Sequence, residues 1–81
     1  MSSDQVHERV LAIVSGILEV NPAHAPAMRL DQSTEWDSLR HIEIILAVED
    51  EFGVTIPEDD FSSLSSVDAI ESHLVRLRAP R

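Results

Sequence analysis

Asp37-Ser38-Leu39-Arg40-His41-Ile42-Glu43-Ile44-Ile45-Leu46-Ala47-Val48-Glu49-Asp50-Glu51-Phe52-Gly53 is the stretch on which the reading of this chain turns. Asp37 is a good N-cap, and Gly53 supplies a residue that readily adopts the left-handed conformation ending many helices. The spacing predicts a helix over 38–52 with two apolar faces. At about 100° per residue, with Leu39 at zero, Ile44, Ile45, Val48 and Phe52 fall between about 140° and 240°. Ile42 and Leu46 fall near 300° and 340°, beside Leu39, with Glu43, Glu49 and Asp50 around them. The first group reads as a core face. The second is either covered by the short segment that follows or exposed as a strip for partners, an apolar centre rimmed with acid.

Charge is concentrated in the same region. Asp31 to Asp60 holds ten carboxylates and one arginine, against five carboxylates and five arginines elsewhere, so the formal net charge of -9 arises in the middle third. Such a field attracts basic surfaces and raises encounter rates more than it adds affinity. It also argues against nucleic acid, because phosphate contacts need Lys and Arg.

Working outward, Val6, Val10, Ile13, Val14, Ile17 and Leu18 recur at helical spacing. They predict a first helix over about 4–20, capped by Ser3 or Asp4 and ended by Asn21-Pro22. A long connection over 21–36 follows, with Met28 and Leu30 as apolar anchors. Thr55-Ile56-Pro57 reads as extended, and a short turn of helix is expected over 57–61. A last helix over 66–77 packs Val67, Ile70, Leu74 and Leu77, with Ser65 and Asp68 resembling a capping box. Arg76, Arg78 and Arg81 suit a helix C-terminus and a solvated tail, and Pro80 lies past its end. The expectation is one all-α domain over 1–81, a four-helix bundle with a long first loop and a short third helix.

Size and composition narrow the function. At 81 residues, a chain buries only roughly 60–65% of its extended surface, with no room for a separate substrate domain. It has no cysteine, hence no disulfide, thiolate metal site or thiol nucleophile. No apolar run approaches membrane-spanning length, and Met1-Ser2-Ser3-Asp4 lacks the pattern of a signal peptide, so a cytoplasmic, monomeric protein is expected. The acids between Glu49 and Asp60 do not follow the ligand series of a calcium loop, since Gly53, Val54, Ile56 and Pro57 interrupt it. No metal site is assigned.

Ser38 is the chemical focus. A serine at a helix start is commonly a cap, and a catalytic one needs a base and oxyanion donors. His41 is three residues away but points about 60° aside around the helix, and His7, His24 and His73 form no set with it. The chain is not expected to be an enzyme. Ser38 suits modification by another enzyme, because amides at a helix N-terminus favour a phosphodiester charge.

With Asp37-Ser38-Leu39, Ile42-Glu43-Ile44-Ile45, Ala47-Val48-Glu49-Asp50-Glu51-Phe52 and Val54-Thr55-Ile56-Pro57 in place, the stretch from Leu30 to Leu74 resembles the acyl carrier protein family. The three-residue motif alone is unspecific; its position before an acidic helix and an Ile-Pro segment is diagnostic. The resemblance implies that Ser38 receives 4'-phosphopantetheine from coenzyme A through a magnesium-dependent phosphopantetheinyl transferase. The arm then carries an acyl or related group as a thioester in fatty-acid, polyketide or nonribosomal peptide biosynthesis. The implied partners are that transferase, an acyl-activating ligase or acyltransferase, and ketosynthase or condensation-type enzymes. Trp36, Asp37, Leu39, Arg40, Ile42, Glu43, Leu46, Glu49, Asp50 and Ile56 match positions near the arm or the partner interface.

Two residues depart from the pattern of fatty-acid carriers. Trp36 stands where a small residue is common, either anchoring the loop or touching partner or cargo. Arg40 replaces an acid and puts a positive charge beside Ser38, altering partner choice or pairing with a nearby carboxylate. His41 is read as trimming the core edge, and His7 as a partly covered packing residue. The competing readings are an aminoacyl or hydroxyacyl carrier served by its own ligase, and an unmodified interaction module with the carrier fold.

Overall fold

The computed structural model describes residues 3–78, and among them every regular element is helical. Helix α1 spans Ser3–Leu18, α2 spans Ser38–Phe52, a 3-10 helix spans Glu58–Ser63 and α3 spans Val67–Arg78. The architecture is the expected all-α, four-helix bundle with a long first loop and a short third helix. Met1, Ser2, Pro80 and Arg81 lie outside the described residues.

The first helix ends two residues before the expected stop at Val20. Glu19 adopts a left-handed conformation (φ 57°), and the Val20 amide donates back to Ser15 O at 3.1 Å. This is a Schellman closure made without glycine, so Asn21-Pro22 follows the end rather than causing it. Asp4 sits inside the first turn, where its charge favours the helix N-terminus. At the far end of α2, Gly53 (φ 63°) and Val54 both return their amides to Glu49 O.

α1 and α2 run antiparallel. Arg40 at the start of α2 reaches the carbonyls of Ile17 and Leu18, while Arg9 pairs with Glu51 near the end of α2. Between them lies the core: Val6, Val10, Val14 and Leu18 from α1; Ile44, Ile45, Val48 and Phe52 from α2; and Val67, Ile70 and Leu74 from α3. Leu77 does not join it. It lies beyond Leu74, the last α3 residue of the core, and is 49% exposed.

The long connection is tightly folded. Ala25–Ala27 forms an unexpected 3-10 turn that buries Ala25, and Met28 is buried beside it. Leu30 donates its amide to Ser65 O at 2.9 Å, tying the loop to the approach of α3. With the Ser65 carbonyl so engaged, the cap of α3 is Ser66 instead: its Oγ accepts from the Ala69 amide at 3.1 Å. The helix therefore starts at Val67, one residue later than expected. The short third helix begins after Pro57, which is extended (φ -62°, ψ 144°), and runs on to Ser63 rather than stopping at Phe61.

His7 is half-buried and bonded to Glu71 through Nδ1 at 2.8 Å, joining α1 to α3. The hydrogen bond and charge of Glu71 raise the His7 pKa, outweighing slight desolvation, with Asp68 and Asp4 adding to the rise. The folded state thus binds this proton more tightly than the unfolded chain. The stabilisation is fully present below the ordinary value of 6.5 and is lost as pH rises through the raised value. Urea midpoints should show His7→Gln weaker than the parent just below 6.5 and the gap closing at alkaline pH.

Candidate functional site

Ser38 is the first residue of α2 and is exposed. The cap is Asp37, whose Oδ1 accepts the Arg40 amide at 2.8 Å while its carbonyl accepts the His41 amide. The N-cap position is therefore filled without the serine, and the Ser38 hydroxyl enters no hydrogen bond among the described residues. It stands at the positive end of a helix dipole, a favourable place for an anionic substituent.

The histidine nearest in sequence is fully committed elsewhere. His41 is buried; Trp36 Nε1 donates to its Nδ1 at 3.0 Å, and its Nε2 lies 2.6 Å from Phe61 O. An indole nitrogen only donates and a carbonyl oxygen only accepts, so the ring carries its proton on Nε2. His41 thus bridges the loop and the 3-10 helix through the core and does not face the Ser38 hydroxyl as a base. Among the described residues, no group of His, Asp and Glu side chains is arranged to hold a metal ion.

The second apolar face of α2 is open. Leu39, Ile42 and Leu46 are 67%, 46% and 56% exposed, and the 3-10 helix does not cover them. Glu43 and Asp50 are exposed beside this strip. Ser38, Leu39, Ile42, Glu43, Leu46 and Asp50 therefore form one continuous surface along α2.

Four residues expected at the partner surface make contacts within the chain, two of them buried and two partly exposed. Trp36 is fully buried, so it anchors the loop and has no side-chain surface for a partner. Ile56 is buried at 3% exposure because the extended segment folds it into the core. Glu49 lies between the two faces of α2, and its Oε2 accepts the Ile56 amide at 2.7 Å, fixing that segment. Arg40 Nη1 lies 3.4 Å from Leu18 O and 3.5 Å from Ile17 O, covering carbonyls that the end of α1 leaves open. Its charge is directed to the α1 dipole, neither to a carboxylate nor straight out to a partner.

Comparison with known proteins gives a consistent result. The chain matches the family described as "Phosphopantetheine attachment site" over residues 8–74. It is 37% identical over 68 residues to an acyl carrier protein of Thermosynechococcus vestitus, covering 83% of this chain and 84% of that protein. An acyl carrier protein of Chlorobium phaeobacteroides is 30% identical over 77 residues, covering 94% of this chain and 99% of that one. Acyl carrier protein 2, mitochondrial, of Arabidopsis thaliana is 30% identical over 69 residues, which span 84% of this chain but 55% of the relative.

The engaged and free acids should separate by mutation. Glu49→Lys removes the acceptor of the Ile56 amide and should lower stability by about 1–3 kcal/mol, the worth of a part-buried bond to a charged acceptor. Glu43→Lys, on the open face, should stay within about 0.5 kcal/mol of the parent. Urea denaturation of the two variants side by side checks the contrast.

Proposed function

The chain belongs to the acyl carrier protein family, and we propose that Ser38 is the residue through which it carries 4'-phosphopantetheine. The observation that carries this reading is the Ser38 hydroxyl: exposed, at the head of α2, and released from capping by Asp37. The residues present fit the group. Helix amides favour the phosphodiester charge, no carboxylate is hydrogen-bonded to the hydroxyl, and the strip of Leu39, Ile42 and Leu46 begins at the next residue.

In loading, Ser38 Oγ forms a bond to the phosphorus of coenzyme A that bears the pantetheine. The pyrophosphate bond breaks, adenosine 3',5'-bisphosphate leaves, and the hydroxyl proton passes to a base of the transferase. The chain contributes a positioned oxygen and a docking face; it performs no catalysis of its own. Once attached, the arm supplies the thiol that this cysteine-free chain lacks, and that thiol holds an acyl group as a thioester. Partner enzymes gain a high local concentration of that group, and orientation comes from where α2 docks.

Docking is proposed to use Leu39, Ile42 and Leu46 as its apolar centre, with Glu43 and Asp50 meeting Lys or Arg of the partner. Each exposed ion pair is worth only about 0.2–1 kcal/mol, so contacts are weak, reversible and salt-sensitive. That suits a carrier visiting a transferase, a ligase or acyltransferase, and a condensing enzyme in turn. Its pathway is proposed to be a specialised branch of fatty-acid, polyketide or peptide-like biosynthesis, in the cytoplasm. Among the described residues, no helix is long and apolar enough to cross a membrane.

Incubation with coenzyme A, magnesium and a broad-specificity phosphopantetheinyl transferase should add one phosphopantetheine by intact mass. Ser38→Ala should abolish the addition with an unchanged circular dichroism spectrum; an unchanged parent mass across several active transferases would favour an interaction module without the arm. In a second test, Glu43→Lys with Asp50→Lys should weaken transferase binding at low salt by about tenfold while sparing the fold, the equivalent of about 1.4 kcal/mol.

A further inference from the structure

A group tethered at Ser38 has two resting places: outside, along the exposed face of α2, or inside, between α2 and the 3-10 helix. Access to the interior requires these two elements to part. They are joined beneath the first turns of α2, where Trp36 donates to His41 at 3.0 Å and His41 Nε2 meets Phe61 O at 2.6 Å. Trp36 is 0% exposed and its ring centroid lies 6.0 Å from that of His41, so the junction is filled as well as bonded. Parting it strands the His41 Nε2–H and the Phe61 carbonyl away from each other, while the Trp36 bond occupies Nδ1 and keeps the proton on Nε2. This loss opposes the gain from burying methylenes.

We infer that Trp36 and His41 are specificity-determining positioning residues that hold the junction of α2 and the 3-10 helix shut against acyl chains. The inference rests on Ser38 being the attachment point. Cargo then stays in solvent outside the bundle and is handed over without first being drawn out of the carrier. The cargo class that fits is a short or polar acyl or aminoacyl group, whose recognition belongs to the partner enzyme. A long alkyl chain gains no shelter here.

The test loads the full chain from acetyl-, hexanoyl- and decanoyl-coenzyme A, verifies each product by intact mass, and measures hydroxylamine cleavage of the thioester. A sequestered chain would slow cleavage by about fourfold for each methylene it buries. The parent should show rates within about twofold from acetyl to decanoyl, where burial of even one methylene would exceed that span. His41→Ala should introduce length-dependent protection, and His41→Gln, which keeps both an acceptor and a donor, should restore flat rates. Should His41→Ala fail to fold by circular dichroism, the parent series and His41→Gln still decide. Protection climbing with length in the parent, or in His41→Gln as strongly as in His41→Ala, overturns the closed junction while leaving attachment intact. Failure to gain mass overturns the attachment reading and this one together.

Discussion

The relay from Trp36 through His41 to Phe61 is the interaction on which the rest of the molecule depends. It uses three polar groups that the core would otherwise have to bury unpaired, and each finds one partner of the right kind. Because His41 is on α2, Trp36 in the loop just before it and Phe61 in the 3-10 helix 20 residues on, one imidazole fixes three segments at once. The exposed face of α2 follows from this. With its first turns held from beneath, the helix can leave Leu39, Ile42 and Leu46 in solvent and still be anchored by Ile44, Ile45, Val48 and Phe52.

The charges divide the same way. Arg40 turns back onto the end of α1 and Glu49 onto the Ile56 amide, so both stabilise the junctions that frame α2. Glu43 and Asp50 have no such duty and remain for the surroundings. The acidity of the middle third is therefore two populations. One sets the geometry of the exposed face of α2 and the other sets its potential, and only the second can be changed at little cost to the fold.

Where periodicity governs, the sequence was readable. The alternation of faces on α2 follows from 3.6 residues per turn, and Asp37 and Gly53 mark its ends through local chemistry alone. That Ser38 would open α2, with Asp37 as its cap, was legible because that setting is local too. Trp36, Ile56, Glu49 and Arg40 were not, because their partners are decided by tertiary approach: Arg40 meets carbonyls 22 and 23 residues away, and Trp36 reaches the 3-10 helix only through His41. Glu19 and Ser66 show a second limit. A helix can end on a non-glycine residue in the left-handed region, and where two serines adjoin, the one whose backbone is not held elsewhere becomes the cap.

The burial of Trp36 also makes the molecule report on itself. It is the one tryptophan in a chain with no tyrosine, so intrinsic emission excited at the red edge of protein absorption comes from a single ring. That ring is shielded from water, hydrogen-bonded to His41, and two residues from the serine at the head of α2. Its emission maximum and lifetime therefore read the polarity and closure of one place, the floor beneath Ser38, with no label added to the exposed face of α2.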